Sequence, residues 1–231
     1  MTAVPQPAAP DFAAARFNMV ENQIRANKVR GEKLLDAFGR LPREMFVPAP
    51  LAGIAYIDED LEVAPGRFLM EPMVLARLIE EAGVKETDRV LDVAPATGYS
   101  TAVLAALAKD IIALESDPAM QKRCAENLAR LGIGNADVQW GAFAEGWPVK
   151  APYDVILVNG GIEAYPDNLI AQLAEGGRLV FVARLFGPAH AAHKGEARLY
   201  EKIRGHVSRR ALFDANVRPL PGFRAAAQFV F

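Results

Sequence analysis

Apolar residues recur at helical intervals in the first third of the chain, and from Arg89 onward they gather into short β-branched runs. The first ten residues are rich in Ala and Pro, and Pro5, Pro7 and Pro10 prevent a helix there, so they read as a flexible tail. Phe17, Val20 and Ile24 then stand at i, i+3 and i+7, and Leu34, Leu35, Phe38 and Leu41 repeat the stripe after Gly31. That spacing predicts two amphipathic helices, each burying one face. Residues 42–66 are rich in Pro and Gly with little periodicity and read as loops and short strands. Pro72 opens a third helix where a missing N–H is harmless, followed by a stripe of Val74, Leu75, Leu78, Ile79 and Ala82.

The second texture predicts strands over residues 90–93, 111–114, 136–140, 155–159 and 179–183. Between them come an Ala-rich helix from Ser100 and a helix over 118–131 with Met120, Cys124, Leu128 and Leu131 on one face. Strand–helix alternation implies βαβ units and a parallel sheet covered on both faces, with right-handed crossovers making it doubly wound. After Ala183 the pattern weakens. Residues 187–195 read as a loop, 197–203 and 209–217 as antiparallel strands, and 225–231 as a last apolar strand. There is no internal repeat. The expected organisation is a tail over 1–10 and one domain over 11–231, with an N-terminal cap and substrate segment to 88 and an α/β core from 89.

Composition narrows the function classes. The chain has 231 residues, 52% hydrophobic and 23% charged, which are globular proportions. A formal charge of -2 supplies no basic field for general nucleic-acid binding, so no nucleic-acid partner is expected. The single cysteine excludes a disulfide framework and Cys-cluster metal sites. No apolar run approaches the roughly 18 residues of a membrane-crossing helix, and the first residues lack a signal-peptide pattern. The expectation is a reducing compartment, the cytoplasm, with no membrane partner.

In open α/β sheets ligands bind beyond the carboxyl ends of the strands. The first such end is Asp92-Val93-Ala94-Pro95-Ala96-Thr97-Gly98-Tyr99 and the second is Glu115. A carboxylate at that second place can accept hydrogen bonds from both hydroxyls of a ribose, or else cap the strand end before Asp117 and Pro118. Asp92 is either a cofactor-side carboxylate or a cap for its own turn. Neither GxGxxG nor GxxxxGK[ST] is present, which argues against a dinucleotide and against a P-loop.

Several segments, in order, carry a resemblance. They are Met19-Val20-Glu21-Asn22-Gln23-Ile24, Arg43-Glu44-Met45-Phe46-Val47, Ala55-Tyr56-Ile57-Asp58, Gly141 to Trp147 (GAFAEGW), Ala151 to Ile156, and Leu173 to Leu179. Together they resemble the protein-L-isoaspartate O-methyltransferase family from about Met19 to Phe223. The resemblance implies a Rossmann-like class I methyltransferase sandwich, mostly parallel with antiparallel C-terminal strands and an N-terminal helical cap. It implies S-adenosyl-L-methionine as cofactor, and as substrate a protein or peptide whose isoaspartyl α-carboxylate is methylated for repair. By resemblance Asp92, Ala94, Ala96, Gly98, Tyr99 and Glu115 hold the cofactor, and Ala142 and Phe143 border its adenine. Met70, Glu71 and Asn159 border the acceptor, with Asn159 facing the methyl donor.

The sequence departs from the family pattern where the chemistry lies. The cofactor turn, approximately G-x-G-x-G in the family, has Ala94 and Ala96 for two glycines, adding methyl groups where backbone approaches the ligand. Ala142 replaces an Asp that accepts from the adenine amino group, removing a contact of about 1–3 kcal/mol. The substrate segment G-Q-x-I-S-x-P reads Gly66-Arg67-Phe68-Leu69-Met70-Glu71-Pro72. Met70 cannot donate the hydrogen bond of a hydroxyl. Glu71 brings negative charge towards a negative substrate, and Arg67 either pairs with a carboxylate or neutralises Glu71. These replacements keep two further readings open. One is a non-catalytic paralogue that binds or scaffolds; the other is a methyltransferase for an apolar small molecule, suggested by Phe68, Leu69 and Met70. No residue is assigned a catalytic role by the sequence, and no metal is expected. Cys124 reads as a buried inert thiol, His190 and His193 as a solvated loop, and His206 with its arginines as a solvated face.

Overall fold

A computed structural model describes residues 10–184 and 195–223. The N-terminal tail over 1–9, the His190/His193 loop and the last strand over 225–231 lie outside the described residues.

The chain enters through α1 (Phe12–Asn18), whose N-terminus is capped by the Asp11 carboxylate accepting from the Ala14 N–H at 3.0 Å. The helix then widens to a π-helical stretch, Met19–Ile24, and tightens over Arg25–Asn27. That change of pitch corrects one expectation. The i, i+3, i+7 spacing puts Phe17 on the buried stripe, yet it is 66% exposed while Met19 and Ile24 are fully buried. Widening the turn rotates the residues beyond it, so a constant 3.6 spacing does not carry across. Helix α2 (Glu32–Arg40) buries Leu34, Leu35 and Phe38 as its spacing predicts. Two 3-10 turns, Arg43–Phe46 and Ala49–Ile54, lead to the hairpin of β1 (Leu61–Ala64) and β2 (Arg67–Leu69). Helix α3 (Pro72–Ala82) starts on Pro72 and ends on left-handed Gly83.

The core sheet has seven strands: β3 (Arg89–Val93), β4 (Asp110–Glu115), β5 (Ala136–Trp140), β6 (Tyr153–Ile162), β7 (Leu173–Arg184), β8 (Gly195–Ile203) and β9 (His206–Asp214). Their order is β5-β4-β3-β6-β7-β8-β9. The first five are mutually parallel; β8 and β9 are antiparallel additions. Helices α4 (Tyr99–Ala105), α5 (Pro118–Arg130) and α6 (Asp167–Ala171) fall between strands. Strand β9 ends at Asp214, three residues before the expected end at 217, and the backbone beyond it bonds to β6 instead, with the Gly161 N–H donating to the Arg218 carbonyl and the Leu220 N–H to the Gly161 carbonyl. No helix among the described residues is long and apolar enough to cross a membrane.

From β3 the connections run to β4 and β5 on one side, and β6 returns to the other side of β3. The carboxyl ends of β3 and β6 therefore flank the topological switch point, where such sheets open a crevice.

Candidate functional site

The turn after β3 has three left-handed residues, Ala94 (φ 62), Ala96 (φ 51) and Gly98 (φ 95). Gly98 has no substitute, because a Cβ there would lie 2.7 Å from Cys124 Sγ. The two alanines adopt the same backbone region at a cost of roughly 1–2 kcal/mol each. The turn is anchored on both sides. Thr97 Oγ1 donates to the Phe46 carbonyl at 2.6 Å, and Asn127 Nδ2 donates to the Thr97 carbonyl at 2.9 Å.

Asp92 is fully buried and completely engaged within the protein. Its Oδ2 accepts from Ser100 Oγ at 2.8 Å and Thr101 Oγ1 at 2.6 Å, and its Oδ1 accepts from Asn159 Nδ2 at 2.6 Å. Burial raises its pKa to about 6, against the hydroxyl and amide donors that favour the charged form. Asp92 thus knots β3, the start of α4 and β6 together. Asn159, which borders the small space beside Met70 and Gly160, donates to Asp92 and to the Val93 carbonyl at 2.9 Å. Tyr99 is placed away from the cleft. Its ring meets Phe38 and Phe46 edge-on at 5.9 and 5.3 Å, and the Arg43 guanidinium lies 4.7 Å from its centroid. Three large neighbours make it part of the seam between cap and core, where Arg43 also donates to the Ala55 and Met70 carbonyls, each at 2.7 Å.

Glu115 ends β4 and is fully buried. Its Oε1 accepts from the Ser116 N–H at 2.8 Å and the Asp117 N–H at 3.2 Å. Its Oε2 accepts from the Ala96 N–H at 3.1 Å and from Arg67 Nη2 at 2.5 Å. Burial pushes its pKa up, opposed by the Arg67 charge and the three amides. The Arg67 guanidinium also lies 4.9 Å from the Phe143 ring centroid. Arg67 Nε and Nη1 are buried with no hydrogen-bond partner among the described residues. Outside this pair is an open cleft of about 870 Å³, walled by Ser116, Asp117 and Pro118 on one side and Arg218, Pro219 and Leu220 on the other.

The donor set suits the cofactor that the resemblance implies. Glu115 presents the kind of carboxylate that accepts from a diol, Phe143 presents a flat apolar face of the kind a base stacks on, and the 94–98 turn brings backbone to the strand ends. Ala142 is exposed and precedes the Phe143–Glu145 turn, offering no side-chain acceptor to a base. In the conformation seen, both the carboxylate and the aromatic face are engaged by Arg67.

The residues expected to border the acceptor lie between β2 and α3 and on β6. Met70 is buried and Glu71 occupies the cap position before Pro72. Asp60 Oδ1 accepts from the Glu71 N–H and its Oδ2 from the Arg218 N–H, both at 3.0 Å. Burial first, then Asp58, Asp60 and Glu59, push the Glu71 carboxyl up to about 7. Phe68 is half-buried with the Arg218 guanidinium 5.4 Å from its ring centroid, while Leu69 packs into the core. The space bounded by Asp60, Phe68, Met70, Asn159, Gly160 and Leu220 measures about 10 Å³, room for one water at most.

Arg67 does not neutralise Glu71; it pairs with Glu115, a partner that the sequence reading did not name. Asp60 and the 217–222 segment are cleft residues that the sequence did not reveal. The acidic run 58–60 was a faint signal for the first; nothing in the sequence marks the second.

The protein-family model described as Protein-L-isoaspartate(D-aspartate) O-methyltransferase (PCMT) matches residues 15–208. A "Protein-L-isoaspartate O-methyltransferase 2" of Anaeromyxobacter sp. (strain Fw109-5) is 39% identical over 166 residues, covering 72% of this chain and 68% of its own length. A "Protein-L-isoaspartate O-methyltransferase" of Koribacter versatilis (strain Ellin345) is 35% identical over 218 residues, 93% of this chain and 96% of its own. Among solved structures, a putative protein-L-isoaspartate O-methyltransferase from Plasmodium falciparum, in complex with S-adenosyl-L-homocysteine, superposes with a TM-score of 0.76 at 19% identity. That match covers 93% of this chain and all of the other, and establishes the likeness of fold.

Proposed function

Because the chain belongs to the protein-L-isoaspartate(D-aspartate) O-methyltransferase family, we propose that it is an S-adenosylmethionine-dependent methyltransferase whose acceptor is the α-carboxylate of an isoaspartyl residue in a protein or peptide. The observation that carries this reading is Glu115, a buried carboxylate at the end of β4 beside the left-handed 94–98 turn. In this reading Glu115 holds the ribose, Phe143 and Ala142 border the adenine, and residues 94–98 receive the methionine part. The bound cofactor supplies an electrophilic methyl group, and a carboxylate acceptor needs no general base, so alignment supplies most of the acceleration.

The chain's own residues then have positioning tasks. Asp92, through Ser100, Thr101 and Asn159, fixes the turn relative to β6. Met70, Phe68 and Leu220 keep water from the strand ends, and an acceptor reaches them by displacing Leu220 or Met70. We also assign the chain to the cytoplasm, in keeping with its single, buried and unpaired cysteine.

The test is transfer of labelled methyl groups from S-adenosylmethionine to an isoaspartyl peptide and to its aspartyl twin. Base-labile label on the isoaspartyl peptide alone is the expected result. Cofactor binding without label on either peptide removes the acceptor assignment. A second reading, a non-catalytic paralogue, draws on the engagement of Glu115 by Arg67. Absence of cofactor binding at millimolar concentration in every variant described below would select it.

A further inference from the structure

Arg67 and Glu115 are both buried, with side chains 7% and 0% exposed. A buried arginine that serves only the fold normally satisfies its donors against backbone carbonyls. Arg43 does so, with two bonds to the Ala55 and Met70 carbonyls and only Nη1 unpartnered. Arg67 makes one hydrogen bond, to Glu115, and leaves both Nε and Nη1 without partners among the described residues. Unsatisfied buried donors are costly, so this guanidinium is held by its ion pair and by the Phe143 face, against its own desolvation.

Those two holding groups are the carboxylate and the aromatic surface assigned above to a nucleoside. Arg67 also has somewhere to go. It sits on the three-residue strand β2, next to left-handed Gly66, and it lines the open cleft of about 870 Å³. Building on the proposed cofactor assignment, we propose that Arg67 is an internal competitor for the nucleoside site. Its guanidinium occupies the ribose-binding carboxylate and the adenine face, so Arg67 sets cofactor affinity, and binding requires the Arg67–Glu115 pair to part and the side chain to swing into the cleft. A cationic sulfonium ligand is disfavoured further because the displaced guanidinium still stands in the cleft beside it, so Arg67 discriminates against S-adenosylmethionine more than against the neutral thioether S-adenosylhomocysteine. The glutamine that the family pattern carries at this place is shorter and uncharged, and cannot form the ion pair.

The experiment is calorimetric titration of both ligands into the full chain, Arg67→Gln and Arg67→Ala, with each variant's thermal melt confirming its fold. The expected result is at least tenfold tighter binding of S-adenosylhomocysteine by both variants than by the parent, and a larger gain for S-adenosylmethionine. Two variants are used because either alone could lose stability with the ion pair. Equal or weaker binding by folded variants overturns the competitor role while leaving the cofactor assignment in place. If neither parent nor variants bind at millimolar ligand, Arg67 is not what closes the site, and the cofactor assignment falls with it.

Discussion

The two halves of the cleft are closed by different means. On the proposed cofactor side, one long side chain from a short hairpin holds a strand-end carboxylate, and everything beneath it is fixed by strand ends, a hydrogen-bonded turn and backbone amides. On the proposed acceptor side, packed Met70, Phe68 and Leu220 leave about 10 Å³. Opening the first asks for a change of rotamer in Arg67. Opening the second asks for movement of the 217–222 segment, because Leu220 lies over Gly160, where even an added Cβ would come within 2.5 Å of Leu220 Cγ. A residue that closes by reach can be released by a competing ligand, whereas one that closes by packing yields only when backbone moves.

The largest effect that would test this contrast belongs to the cofactor half. In the Arg67→Gln background, Glu115→Ala removes the acceptor for two ribose hydroxyls. At about 1.5 kcal/mol for each hydrogen bond to a charged group, binding of S-adenosylhomocysteine should weaken roughly 100-fold. Met70→Ser in the same background should leave that affinity within about threefold, since no cofactor contact is assigned to the thioether. Calorimetry of the two double variants decides the matter. A comparable loss in both would mean that the halves are coupled and the contrast is false.

A smaller effect comes from charge on the acceptor side. Glu71 is pushed up to about 7 by burial and by Asp58, Asp60 and Glu59, while the Arg218 backbone meets Asp60. The folded-state value is raised, so the side chain is neutral below pH 7 and becomes anionic as pH rises through that value. An anionic isoaspartyl acceptor should then be repelled. Its kcat/KM should fall about three- to tenfold between pH 6 and 8, of the order expected for one added charge near a partly solvated site. Glu71→Gln should flatten that fall. A profile unchanged by the substitution would show that the acceptor does not approach Glu71.

The same division explains what the sequence disclosed. Strand–helix alternation fixes the sheet, and the sheet fixes where Asp92 and Glu115 must end, because a strand-end position follows from local pattern and topology. Arg67 was visible as an unusual charge in a family segment, but its partner lies 48 residues away. Pairing across that distance depends on the hairpin's placement, which no periodicity encodes. Phe17 departs from the stripe because a π-turn breaks the helical period, and the bonds from the Asn159 amide to two acceptors on β3 are long-range contacts that no local pattern encodes. Leu220 gave no signal at all, since a Pro-flanked leucine in a loop looks the same on any surface.

The smallest effect concerns the turn itself, and it separates inherited geometry from present chemistry. Ala94 and Ala96 hold left-handed backbone, as Gly98 does, although each carries a Cβ. Replacing either by glycine relieves roughly 1–2 kcal/mol of steric cost. It also gives the unfolded chain more freedom, which takes back about 0.4–1 kcal/mol. The net for Ala96→Gly or Ala94→Gly should be stabilisation by about 0.5 kcal/mol, read as a higher urea midpoint at unchanged slope. Gly98→Ala should move the midpoint the other way and by more, because its Cβ would strike Cys124 Sγ at 2.7 Å in addition to the backbone cost. If the alanine-to-glycine changes destabilise instead, the two methyl groups make packing contacts that outweigh their strain. The turn would then be adapted to alanine, and the cofactor half would be closed by more than the reach of Arg67.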